Sequence, residues 1–157
     1  MIINQIENTN NYLIRLIHQN INIYDSQDLK QVTKKIFEKI NKRKKLTNHI
    51  KLEFYYDDNY GTIIILNSDE KYISRKDDEI EVKITIHIDT PFLYKIDYFD
   101  IKNNISNIEN IYYYKENFYM ELKDTIEKKN YLKILELSEI VYEDSYNIIN
   151  EGIKIKI

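Results

Sequence analysis

The chain has no cysteine, no alanine and no tryptophan, and only two glycines and one proline in 157 residues. Without cysteine there is no disulfide framework, no thiolate zinc site and no thiol nucleophile. The glycines, Gly61 and Gly152, stand far apart, so no phosphate-cradling loop of the G-x-G-x-x-G or G-x-x-x-x-G-K-S/T kind occurs, and no G-x-S-x-G elbow. Nucleotide-driven and α/β-hydrolase chemistry are not expected on that ground. Scarce Gly and Pro also exclude collagen-like, mucin-like and flexible-linker proteins. Arginine is nearly absent too, with three against 20 lysines, which removes most of the planar forks that grip phosphate or carboxylate with two bonds. The longest apolar run, Ile63 to Leu66, is strand-sized, so no membrane-spanning helix is expected. The opening residues lack a basic segment followed by an apolar run. The reading is a cytoplasmic protein without a signal peptide.

What is abundant is isoleucine (31 residues), lysine (20), asparagine (18) and tyrosine (15). All four have A/T-rich codons, which points to a low-GC bacterium, its phage or a large AT-rich virus. Part of this composition is therefore mutational bias. Even so, 43% apolar residues can build a core, and the length fits one α+β domain spanning residues 1–157.

Ile3, Ile6, Leu13, Ile14 and Ile17 fall near helical spacing and predict an opening helix, weakened by Asn8-Thr9-Asn10-Asn11. A second helix is expected from Asp25 or Ser26, with Leu29, Val32, Ile36 and Ile40 as its apolar stripe and Asp28 in the first turn. The period then changes to two. Ile50, Leu52, Phe54 and Tyr56 alternate with polar neighbours, Tyr60 to Leu66 returns after an Asp57-Asp58-Asn59 turn, and Ile80 to Ile88 alternates most clearly. Phe92 to Ile101 reads as a fourth strand. Ile111, Tyr114, Phe118, Leu122 and Ile126 predict a helix, and Leu132, Leu135, Ser138 and Val141 another. The tail from Gly152 adds an edge strand. The expected order is α-α-β-β-β-β-α-α(-β), an antiparallel four- to five-stranded meander with helices packed on one face.

Charge is uneven. Between Asp28 and Leu52 nine basic residues meet two acids, a local +7, whereas the remainder stands at −10. Lys35, Lys39, Lys42, Arg43, Lys44 and Lys45 form a candidate polyanion surface, or else a solvated helix end of the sign the dipole favours. The three histidines are scattered. His87 shares a strand face with Thr85 and Asp89, but parallel side chains about 7 Å apart do not converge as a catalytic triad. Asp57-Asp58-Asn59 lacks the spacing of a calcium loop and fits turn chemistry. No metal, cofactor or catalytic residue is assigned.

Tyr112, Tyr113 and Tyr119, with Glu116 and Glu121, form the candidate partner-binding surface, joined by Glu81 and His87 on a polar strand face. A helix buries about a third of its circumference, so a helical Tyr112-Tyr113-Tyr114 run exposes at least one ring. Tyrosine gives large contact area at small entropic cost. The expectation is a non-catalytic, stoichiometric binding protein of the inhibitor, immunity or anti-defence kind, acting on a protein with a basic surface. The alternative is a nucleic-acid accessory protein working through residues 30–45.

Overall fold

A computed structural model describes residues 1–19, 21–41, 49–68 and 81–157. They divide into two compact units, Met1–Tyr56 with Tyr60–Ile88, and Asp57–Asn59 with Asp89–Ile157. The single meander is thereby overturned: each unit carries its own five-stranded sheet.

The first unit contains β1 (Ile2–Gln5), β2 (Tyr12–Ile17), α1 (Ser26–Asn41), β3 (His49–Asp57), β4 (Gly61–Ser68) and β5 (Glu81–His87). Its strands run in the order β1-β2-β4-β3-β5. The expected opening helix is a hairpin, with Ile3 opposite Ile14 and Gln5 opposite Tyr12. The residues between them close the turn: the Ile6 amide donates to the Asn11 carbonyl at 2.9 Å, and Asn8 takes a φ of 59°. Apolar residues on both faces of β2 imitated the helical spacing. Burial instead follows every second residue, through Tyr12, Ile14 and Leu16.

The helix expected from Asp25 or Ser26 is α1. Asp25 caps it by accepting from the Gln27 amide at 2.8 Å. Ile36 and Ile40 are fully buried in a cluster with Ile14, Leu52, Phe54, Ile64 and Leu66 from three strands. Burying each such side chain contributes about 1.5–3 kcal/mol relative to leaving it in water. At the start of β4, Gly61 has φ +109°, and a Cβ there would lie 2.2 Å from the Leu16 carbonyl oxygen. Only glycine fits. The last strand departs from a meander, because β5 lies beside β3 and parallel to it, His49 opposite Glu81 through Tyr55 opposite His87.

The second unit contains β6 (Leu93–Ile96), α2 (Tyr98–Ile101), a 3-10 turn (Lys102–Asn107), β7 (Ile108–Tyr114), β8 (Asn117–Leu122), α3 (Lys128–Leu137), β9 (Glu139–Val141), α4 (Ser145–Glu151) and β10 (Ile153–Ile155). The sheet order is β10-β7-β8-β6-β9, antiparallel throughout. Two further expectations fail. Phe92 to Ile101 is a short strand followed by a helical turn, and the helix expected from Ile111 is the β7–β8 hairpin. Its two-residue turn holds Lys115 at φ 45° and Glu116 at φ 63°, the primed geometry that matches strand twist. Neither residue is the Asn or Gly that normally announces such a turn. Ser138 and Val141, expected within the last helix, lie beyond α3, while the tail does form an edge strand, β10.

This sheet buries side chains on both faces. Leu93, Tyr112 and Tyr119 pack with Ile148 of α4. Their neighbours on the opposite face include Tyr94, Ile111 and Met120, all buried. Tyr94 meets Tyr131 of α3 edge-on at 6.1 Å between ring centroids, and their hydroxyls lie 2.8 Å apart.

Candidate functional site

Two surfaces carry chemistry, one on each sheet. On the first, the parallel pairing of β3 and β5 sets His49, Lys51, Glu53 and Tyr55 in register with Glu81, Lys83, Thr85 and His87. Register between parallel strands puts paired side chains on the same face. Glu53 approaches His87 Nε2 at 3.2 Å, and Glu81 approaches His49 Nδ1 at 3.1 Å. The His87 ring stacks on Tyr55 at 4.2 Å with only 3° between planes. His87 is thus oriented by a carboxylate on the neighbouring strand. Asp89 lies past the end of β5, at φ 63°.

The other surface begins at the tyrosines. Tyr112 and Tyr119 are cross-strand partners and both are buried. The Tyr112 hydroxyl donates to Glu121 at 3.1 Å, and the Asn110 amide donates to the same carboxylate oxygen at 2.6 Å. Burial first, and the Glu121 carboxylate second, push the Tyr112 phenol above its ordinary 10.0. Tyr113 points to the opposite face and is exposed. Glu116 sits at the hairpin turn.

Tyr113 belongs to a row the sequence did not single out. Ile153 is its partner on β10, and Phe118 is its partner on β8. The Phe118 ring lies 5.1 Å from Tyr113 and 5.3 Å from Tyr98 of α2, with Phe99 beside Tyr98 at 6.3 Å. The Lys102 ammonium sits over the Tyr98 ring at 5.6 Å. Phe118 is half-buried at the middle of the row, while Tyr113 is 36%, Tyr98 50%, Ile153 67% and Phe99 82% exposed. A signal was present in Asp97-Tyr98-Phe99-Asp100, two adjacent aromatics between aspartates. A strand reading sends one ring inward; the helical turn exposes both.

Of the basic candidates, Lys35 and Lys39 lie exposed on α1. Lys42, Arg43, Lys44 and Lys45 lie outside the described residues, as do residues 69–80. The Asp57 carboxylate accepts from the Asn59 amide at 2.9 Å, the turn chemistry expected there. Among the described residues, no three His, Asp or Glu side chains gather as metal ligands, and no helix is long and apolar enough to cross a membrane.

No family model matches the chain, and no curated protein or solved structure matches it either. The two surfaces are therefore read on their own chemistry.

Proposed function

We propose that the chain is a non-catalytic binding protein that acts by stoichiometric contact with a protein partner, in the manner of an inhibitor or immunity protein. The observation that supports this reading is the continuous row Ile153, Tyr113, Phe118, Tyr98 and Phe99, four of whose members are exposed. Exposed apolar side chains scattered singly are ordinary; a contiguous aromatic group with a charged rim is what interfaces use as anchors. Residues 89–157 hold nine lysines against 13 acidic residues, which favours a partner with basic residues around an apolar pocket. Tyr112 and Tyr119 serve this surface from beneath, by fixing the hairpin that presents Tyr113.

The test is copurification from the native host, with wild type, Phe99→Ala and Tyr113→Ala compared at matched thermal stability. The reading expects a complex of fixed stoichiometry that each substitution weakens by about 1–3 kcal/mol. A complex indifferent to both substitutions sinks it. Loss of self-association alone assigns the row to a second copy of the chain instead.

A further inference from the structure

The aromatic row of the second sheet ends at β10, the last strand in its sheet order, which pairs with β7. The β7–β8 hairpin fixes which backbone groups of β10 face outward. In a two-residue hairpin the closing pair, here Tyr114 and Asn117, exchanges both main-chain bonds, and such pairs recur at every second residue. Tyr112 therefore bonds to β8, while Ile111 and Tyr113 turn their amides and carbonyls to Ile155 and Ile153. The close approach at Gly152 agrees, since a Cβ there would lie 3.4 Å from the Tyr113 carbonyl oxygen. That leaves Lys154, whose N–H and C=O point away from β7. Among the described residues no strand takes them up.

Side chains on this edge alternate in chemistry. Ile153 and Ile155 share the face of their register partners Tyr113 and Ile111, and Ile153 is exposed. Lys154 is exposed on the other face, opposite Tyr112. The Tyr112 phenol is uncharged, so the residue that an added strand sets beside Lys154 decides the charge pairing there. Lys156 and Ile157 continue the alternation, both exposed. The two lysines reverse the sign of a unit with nine lysines against 13 acidic residues. A second copy of the chain fits this edge poorly, because any pairing that keeps the isoleucines on one face sets lysine against lysine.

We infer that β10 takes an extended acidic segment of the protein partner as an added strand, with carboxylates beside Lys154 and Lys156 and apolar side chains prolonging the row from Ile153. The Lys154 N–H and C=O supply main-chain bonds, and the two faces supply selectivity, as in other cases of strand addition. This mode of binding rests on the aromatic row being the partner surface and adds how the partner's chain is held at the β10 end. It concerns one segment of the partner and leaves the preference for basic residues elsewhere around the row unchanged.

The test titrates the full chain with two blocked peptides, one alternating glutamate with valine and one alternating lysine with valine, read by amide chemical shifts and hydrogen exchange. The glutamate peptide should bind at millimolar concentration, with shifts centred on residues 153–156 and new protection of the Lys154 amide. The lysine peptide should leave the edge unchanged. Lys154→Glu combined with Lys156→Glu should reverse the preference, weakening the glutamate peptide by about fivefold or more. Lys154→Pro removes the outward N–H but keeps the bonds of Ile153 and Ile155 to β7, so it should abolish peptide binding in a folded chain. Phe99→Ala, at the far end of the row, should bind the peptide like wild type. Absence of shifts at β10 with the glutamate peptide, or equal binding of both peptides, overturns the strand addition and makes the lysines mere guards of the edge. The row itself is then judged separately, by Phe99→Ala in copurification. Shifts at residues 153–156 that grow with protein concentration alone assign the edge to a second copy and likewise overturn the acidic segment.

Discussion

The two sheets have five strands each, and both bury side chains on both faces, but their exposed margins differ. The first packs α1 against one face and buries Tyr55, Ile63 and Ile65 on the other, where its β3–β5 margin becomes a polar row of paired histidines, carboxylates and lysines. In the second, buried side chains again occupy both faces, and its margin exposes a row of aromatic rings. The contrast teaches where each surface came from. A strand pair with charged side chains keeps its margin in water, whereas Tyr98 and Phe99 are exposed because a helical turn carries them outward.

The largest expected effects fall in the cores. Ile14→Ala in the first sheet and Met120→Ala in the second remove fully buried side chains and should each cost about 2–5 kcal/mol in denaturant unfolding. Gly61→Ala should cost roughly 2–4 kcal/mol, because the new Cβ meets backbone in a left-handed conformation. Near-neutral behaviour of Gly61→Ala would break the pairing of β2 with β4 as described.

Next in size is the buried phenol pair. Tyr94→Phe or Tyr131→Phe should cost about 1–2 kcal/mol by removing the hydroxyl–hydroxyl contact, and the double substitution should cost less than the two singles together. Strict additivity would show that the hydroxyls do not communicate.

Alkaline titration separates the sheets more gently. Burial pushes the Tyr60 phenol of the first unit above 10.0, with Arg15 opposing, and burial with Glu121 raises Tyr112 of the second. In each case the folded state holds its proton more tightly than the unfolded state. The resulting stability is complete below about pH 10 and is lost as pH rises through the folded values. Tyr112→Phe should flatten part of that loss; an unchanged alkaline profile would remove Tyr112 from the account.

Legibility in the sequence tracked how each element signals itself. Helix α1 was readable because Asp25 caps it and Leu29, Val32, Ile36 and Ile40 leave one stripe. Strands β3, β4 and β5 were readable because polar and apolar residues alternate or the run is short and wholly apolar. Both hairpins were missed for one reason. Where strands bear apolar residues on both faces, spacing of three and four arises by chance, as at Ile111, Tyr114 and Phe118. Only a turn signal then separates hairpin from helix; Asn8-Thr9-Asn10-Asn11 carried one, which passed for a weak spot in a helix, and Lys115-Glu116 sends none. Parallel pairing of β5 was invisible, because alternation is the same for either direction. Glu81 and His87 were correctly placed on one polar face, but the partners Glu53 and His49 depend on that register. Tyr112 and Tyr119 turned inward when the helix became a strand pair, leaving Tyr113 as the exposed member.

The smallest effect on folding belongs to Phe99, whose removal should change stability by no more than about 0.5 kcal/mol. It therefore gives the most direct test of the central claim, that the aromatic row of the second sheet is the partner surface. Partner affinity should be measured for Phe99→Ala and, on the polar face of the first sheet, for Thr85→Ala. The account predicts a loss of about 1–3 kcal/mol, roughly fivefold or more, for Phe99→Ala and none for Thr85→Ala. Equal affinity for Phe99→Ala and wild type, with a loss for Thr85→Ala, would contradict it.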